Sequence, residues 1–492
     1  MAMIDVVDLS FSYEGSFEEV FKNVSFRIDT DWKLGFVGRN GRGKTTFLNL
    51  LLGKYKYQGR ISSSTEFAYF PYEVKEKDRM TLELLEEMNP QFEEWQLFRE
   101  LNLLSVDAEV LYRPFYTLSY GEQEKVLLAA LFLGETRFLL IDEPTNHLDV
   151  EARRQIAQYL NKKKGFILVS HDRNFLDSCV DHILSINKMN IEVQKGNFSS
   201  WYANKEAKDQ LEAAQNQKLE SEVKRLKQAA KQSSGWSDQV EKSKKGQRVA
   251  GLRPDRGHIG HKAAKMMKRA KVLENRQHQA IEEKAKLLKN IDTMDVLKLF
   301  PLSYHADKLA EFKDVSVYYG EKKACSNISF EIRQGERVCL RGKNGCGKSS
   351  ILKLLLGEEL AFEGNVHAGL GLKISYISQD TSYLKGNLRD MAREDGLEES
   401  LFKAVLRKLE LNREQCEKDV SLYSAGQKKK VLLAKSLCEQ AHLYVWDEPL
   451  NYIDVLSRVQ IEDLLLKCCP TLLFVEHDAA FQKNVATKVI EM

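Results

Sequence analysis

Long uninterrupted apolar stretches are missing from this chain. No segment reaches the roughly 18 residues that a membrane-crossing helix needs. The opening MAMIDVVDLSFSYEG carries acids where a secretory leader would run from basic to apolar. A cytoplasmic protein with no membrane partner is expected. The 8 cysteines show no paired metal-ligand spacing, which excludes a thiolate metal centre and points to reduced thiols; the adjacent Cys468 and Cys469 read as buried packing at a strand end. What is present is length and apolar content, 492 residues at 43% hydrophobic, enough for two or three domains with cores of their own. The net charge of +3 is unevenly spread: residues 201–300 hold 23 Lys+Arg against 13 Asp+Glu, so that segment is +10 and the remainder −7.

Internal repetition organises the rest. GRNGRGKT begins at Gly38 and GKNGCGKS at Gly342; IDEPTNHLD and WDEPLNYID place Asp142 and Asp447; VSHD and VEHD place His171 and His477, in one order and at an offset of 304 to 306 residues. That pattern marks a duplicated domain. Around each motif the sequence reads strand, loop, helix, with apolar runs such as LGFVG and RVCLRG ending in glycine-rich loops, and FLLIDE and LYVWDE ending in acids. The expected fold is α/β, a mainly parallel sheet covered by helices, made twice.

Both glycine loops match GxxxxGK[ST]. Gly38, Asn40, Gly41 and Gly43, and Gly342, Asn344, Gly345 and Gly347, let main-chain N–H groups turn toward phosphates. Lys44 and Lys348 then reach the β/γ oxygens, Thr45 and Ser349 ligate Mg²⁺, and Thr46 and Ser350 follow in the loop. Asp142 and Asp447 end apolar strands and are placed to hold the Mg²⁺ shell, with Glu143 and Glu448 beside them to orient or deprotonate water. His171 and His477 follow apolar strands and are expected at the γ-phosphate. ATP and Mg²⁺ are the expected cofactors, and ATP hydrolysis the expected reaction.

LSYGEQEK from Leu118 and YSAGQKKK from Tyr423 resemble the LSGGQ signature of ABC ATPases. The resemblance implies that Ser119 and Gly121, and Ser424 and Gly426, contact ATP held by the opposite cassette, so that ATP glues the halves together within one monomer. It also implies that Tyr13 and Tyr319 stack on adenine and that Gln379 joins the second Mg²⁺ site. With DEPTNHLD, tandem cassettes and a charged linker, the chain is similar to the ABC-F family of ribosome-associated ATPases, and among these to the antibiotic-resistance, ribosome-protection type of the Lsa group. A member of that type is expected to bind ribosomal RNA beside P-site tRNA, without an obligate protein partner, and to displace lincosamides, pleuromutilins and streptogramin A compounds. A housekeeping factor of the same family is the alternative, and a transporter subunit a weaker one. Tyr72 stands where Gln379 stands in the second copy, Tyr120 and Ala425 replace signature glycines, and Leu450 and Tyr452 replace Thr145 and His147. These departures put equal turnover of the two sites in doubt.

Between the copies, a stretch from 203 to 230 without Gly or Pro and an apolar stripe from 263 to 291 predict two long helices with a polar, basic tip between them. The segment 224–276 carries 16 Lys+Arg against 4 Asp+Glu, with Lys262, Lys265, Lys268, Arg269 and Lys271 closely spaced. Such a stripe is the electrostatic footprint of a nucleic-acid partner, read through phosphates rather than bases. Trp236 and Arg253 are candidates to stack or insert at the tip. The predicted organisation is a first cassette at 1–202, a helical-hairpin linker at 203–304 and a second cassette at 305–492.

Overall fold

The computed structural model describes residues 3–15, 19–90, 92–133, 137–145, 148–187, 190–243, 297–320 and 322–492. Two compact units result, Met1–Trp201 with Asp295–Met492, and Tyr202–Met294.

In the first cassette come β1 (Met3–Ser12), β2 (Glu19–Asp29), β3 (Lys33–Val37), α1 (Lys44–Leu51), β4 (Gln58–Ser63) and β5 (Phe67–Phe70). The helices α2 (Thr81–Met88), α3 (Glu94–Leu103) and α4 (Tyr120–Leu131) follow. The chain then alternates through β6 (Phe138–Asp142), α5 (Val150–Asn161), β7 (Phe166–Val169), α6 (Arg173–Cys179), β8 (His182–Asn187) and β9 (Asn190–Lys195). The main sheet has the order β5-β6-β7-β3-β8-β9, parallel except for β9. FILV of β7 is buried at every position, as a strand covered on both faces must be. A separate antiparallel sheet, β2-β1-β4, closes over Phe36 and Phe47.

The second copy repeats this plan. After α7 (Phe198–Ser243) come β10 (Phe300–Pro301), β11 (Lys308–Tyr319), β12 (Lys322–Arg333), β13 (Arg337–Arg341), α8 (Lys348–Leu355), β14 (Ala361–Ala368) and β15 (Ile374–Ile377). Helices α9 (Leu388–Glu394), α10 (Glu399–Lys408), α11 (Arg413–Cys416) and α12 (Ala425–Cys438) precede β16 (Gln440–Ala441) and β17 (Leu443–Asp447). The chain ends through α13 (Val455–Cys468), β18 (Leu472–Val475), α14 (Ala479–Val485) and β19 (Lys488–Glu491). The parallel sheet β15-β17-β18-β13-β19 faces an antiparallel sheet β12-β11-β14. The expected α/β architecture of two cassettes is thus present.

Three expectations are corrected. The helix read from 203 to 230 runs on to Ser243 as one 46-residue helix, about 69 Å long; Ser233, Gly235 and Trp236 lie in it rather than in a loop, since no proline interrupts the run. The second cassette starts packing before residue 305: Leu297 and Leu299 are in its core, and β10 pairs in parallel with β16. Cys468 and Cys469 close α13 instead of a strand, and Cys469 is exposed with a left-handed backbone. All 8 cysteines are unpaired. The expected second linker helix, the lysine stripe at 262–271 and Arg253 lie outside the described residues. Among the described residues no helix is long and apolar enough to cross a membrane.

Candidate nucleotide sites

Each glycine loop ends a buried strand and opens a helix. Gly43 and Gly347 hold left-handed backbones immediately before α1 and α8; a Cβ at Gly43 would lie 2.6 Å from Val20 and add to the backbone strain. Lys44 Nζ donates to the carbonyls of Gly38 (2.7 Å) and Arg39 (3.2 Å) and to Asn40 Oδ1 (3.3 Å), while Lys348 Nζ donates to those of Gly342 (2.8 Å) and Lys343 (2.9 Å). Both ammonium groups are therefore curled into the loop that would cradle phosphate. Tyr13 is hydrogen-bonded to Thr46 Oγ1 (2.6 Å) and Tyr319 to Ser350 Oγ (3.1 Å), which puts an exposed ring beside the start of each helix.

At the strand ends, Thr45 Oγ1 donates to Asp142 Oδ2 (3.2 Å) and Ser349 bonds to Asp447. Next in each chain, Glu143 (φ 52°) and Glu448 (φ 49°) take left-handed backbones, a strained conformation for a non-glycine residue held by the surrounding packing. His171 Nε2 lies 3.3 Å from Glu143 Oε1, and His477 Nε2 lies 3.3 Å from Glu448 Oε1. Glu143 Oε1, Asp447 Oδ1 and His477 Nε2 are buried without a hydrogen-bond partner. Orphaned polar atoms of this kind, next to hydroxyls and curled lysines, fit a site completed by a triphosphate and a divalent cation.

The two sites pull their glutamates in opposite directions. Burial and the neighbouring Asp142 push the Glu143 carboxyl up to about 8, and burial with Lys44, Arg458 and Lys430 holds His171 well below its ordinary value. Burial alone would also raise Glu448, but the His477 ring and the Lys429 ammonium more than offset it and hold the carboxyl down at about 2. Lys429 is buried and donates to the carbonyls of Ser378 and Asp447, both at 2.8 Å. Glu124 occupies the corresponding position one turn into the first signature helix.

The signatures open α4 and α12 through matched caps. Ser119 Oγ accepts from the N–H of Glu122, and Ser424 Oγ from that of Gln427, both at 3.3 Å. Ser424, Ala425 and Gly426 face Asn40, Gly41, Glu143 and His171 across a cavity of about 480 Å³, so the first P-loop meets the second signature. The other P-loop borders a cavity of about 570 Å³ lined by Tyr319, Asn344, Gly345, Gly347, Lys348, Ser349, Ser350, Gln379 and Glu448. Among the described residues, those lining it all belong to the second cassette, and Ser119 and Gly121 are not on its walls.

Sequence reasoning missed several participants. Tyr69 OH donates to Asp142 Oδ2 (3.2 Å), although Tyr72 seemed the counterpart of Gln379; Tyr69 lies within β5, opposite Leu140 of β6, whereas Tyr72 lies beyond the end of that strand. Lys429 was visible only as one of three consecutive lysines. Asn146 and His147 lie outside the described residues.

Comparison with known proteins agrees with this geometry. The family described as "ABC transporter" matches residues 21–146 and 325–451, one span in each half. The chain belongs to that family. As an ABC protein it is an ATP hydrolase with two ABC ATPase domains. The likeness runs the whole length to the ribosome protection protein VmlR of Bacillus subtilis (strain 168), 29% identical with 99% of this chain and 87% of that protein covered. It extends also to the ATP-binding protein Uup of Buchnera aphidicola subsp. Acyrthosiphon pisum, 26% identical over 99% of this chain and 80% of that one. These relatives support the ABC-F resemblance. Among solved structures, an archaeal ribosome recycling factor in complex with a ribosomal stalk protein shares the fold, with TM-score 0.64 and 19% identity over 98% of this chain and 87% of that one.

Proposed function

We propose that this ABC ATPase is a cytoplasmic, monomeric ABC-F protein that acts on the ribosome. In this reading, ATP-driven closure of its two cassettes presents the linker to ribosomal RNA beside P-site tRNA and protects the peptidyl-transferase centre from lincosamides, pleuromutilins and streptogramin A compounds. The observation that carries the reading is a cavity walled by the first P-loop and the second signature in a chain whose cassettes are joined by a 46-residue helix and a strongly basic segment. A pair of cassettes that closes on ATP does work through what is attached to it, and the segment that joins these two is long and cationic. The likeness to a named ribosome protection protein supports the same reading.

Within each site, Lys44 and Lys348 bind the β/γ-phosphates, and Glu143 and Glu448 take the water proton or orient the water. His171 and His477 hold the γ-phosphate side, and the opposite signature closes the site. Mg²⁺, when bound through Thr45 and Asp142 or through Ser349, Asp447 and Gln379, supplies charge neutralisation on the phosphates. Tyr13 and Tyr319 offer their rings to adenine.

A housekeeping role in easing stalled ribosomes is the second reading, supported by the equally long likeness to Uup. Growth of a susceptible host expressing the protein decides between them, across lincomycin, tiamulin and a streptogramin A. Protection that disappears when residues 244–257 are deleted supports the drug-protection reading; no protection by the intact protein transfers the case to the housekeeping role.

A further inference from the structure

We propose that Glu410, supplied by the second cassette, is a positioning residue of the first ATP site: it holds Arg39, and through it the first P-loop, against the second signature, and it does this at one site only. The proposal rests on the reading of both glycine loops as ATP sites.

Arg39 Nε lies 3.4 Å from Glu410 Oε1 across the two cassettes, with the carboxylate side chain only 13% exposed. Both Glu410 oxygens are buried and lack a hydrogen-bond donor; the Arg39 guanidinium is an ion-pair partner within 4 Å, and Lys430 and Lys44 also pull on the carboxylate. Glu410 borders the same cavity as Asn40, Gly41 and the second signature. It is fixed there by the chain reversal that ends α10, in which Leu411 N–H donates to the Leu406 carbonyl (3.0 Å) and Glu410 itself is left-handed at φ 65°.

The first cassette contains the same reversal. After α3, Val106 N–H donates to the Leu101 carbonyl (3.0 Å) and Ser105 holds φ 55°. Ser105 thus stands where Glu410 stands, and Lys343 where Arg39 stands. A short neutral hydroxyl cannot balance a lysine at that reach, so among the described residues the second site has no equivalent pair, and the described residues lining its cavity all belong to the second cassette.

A buried ion pair adds little net stability, because desolvation offsets the attraction, but breaking it strands a charge. What it fixes is register. With the P-loop already seated against the opposite signature, ATP at the first site meets a smaller ordering cost than at the second. The first site should therefore retain nucleotide while the second exchanges it.

Turnover is measured in two backgrounds, Glu448→Gln to leave the first site active and Glu143→Gln to leave the second. In the first-site background, Glu410→Ala and Arg39→Ala should each raise KM for ATP roughly tenfold with kcat little changed. The two together should be no worse than the worse single change, and the reversal Arg39→Glu with Glu410→Arg should recover most of the loss. In the second-site background KM should hold. Glu410→Gln, which keeps shape and removes charge, carries the same test if the alanine variant does not fold. Additive losses, no recovery on reversal, or an equal rise in KM at the second site would overturn the proposal. Full turnover surviving with both glutamates replaced would instead remove the ATP-site reading, and this proposal with it.

Discussion

Asn40 in the first P-loop donates a 2.8 Å hydrogen bond to the main-chain carbonyl of Tyr452 in the second cassette. Tyr452 is itself left-handed at φ 64°, and Gly426 of the second signature packs directly on it. A P-loop, the turn after the opposite strand-end acids and a signature are thereby packed as one body, and a change at any of them is felt by the others.

That packing is tighter at one signature than at the other. A Cβ on Gly426 would lie 2.9 Å from the Tyr452 Cβ, whereas one on Gly121 would meet Leu148 at an ordinary 3.6 Å. Gly426→Ala should cost about 1–3 kcal/mol in overpacking and depress ATP turnover, while Gly121→Ala should be mild. Parallel ATPase and melting measurements on the two variants check this; equal effects would mean that the contact has no consequence.

Replacing Glu143 and Glu448 together with glutamine should leave ATP binding intact and lower hydrolysis by about a hundredfold or more, since an amide keeps the shape but cannot take a proton. The protein should then stay closed on ribosomes and inhibit translation. Undiminished phosphate release by the double variant would remove both residues from the chemistry.

Stability should depend on pH through Glu410. Burial and the Asp454 charge push this carboxyl from an ordinary 4.5 up to about 7, against the pull of Lys430, Arg39 and Lys44. The folded chain therefore binds this proton more tightly than the unfolded one. Its favourable contribution is complete below about pH 4.5 and is lost as pH rises toward 7. Glu410→Gln should remove that slope, a difference on the order of 3 kcal/mol, so the parent should lose melting temperature relative to the variant as pH rises from 5 to 8. Parallel melting curves for the two proteins from pH 5 to pH 8 would contradict it.

The linker should bind through phosphates. Changing Lys262, Lys265, Lys268 and Arg269 to glutamine should weaken ribosome association and reduce the slope of log affinity against log salt by about 3, the value for four lost phosphate contacts. ATPase activity without ribosomes should stay the same. An unchanged slope would mark the stripe as a solvated face.

The cassettes were legible in the sequence because their chemistry is local. A glycine loop and an Asp-Glu at a strand end each act within a few residues of one turn, so spacing and duplication pointed to Lys44, Thr45, Asp142 and their counterparts, whereas Ser119 came only from the resemblance to the signature. The α/β alternation followed from apolar strands such as FLLID and FILV, which only a sheet covered on both faces can bury. The length of α7 was not legible: Ser233, Ser234 and Gly235 read as the start of the polar, basic loop, yet nothing in the run forbids helix, and the weak propensity of these residues was overruled. Tertiary structure alone decided what depends on residues hundreds of positions apart. Arg39 meets Glu410, Asn40 meets Tyr452, and Lys429 reaches the Asp447 carbonyl only because folding brings their separate elements together. The opposite pulls on the Glu143 and Glu448 carboxyls arise the same way: the two sit in equivalent motifs, but burial beside Asp142 raises one, while His477 and Lys429 lower the other.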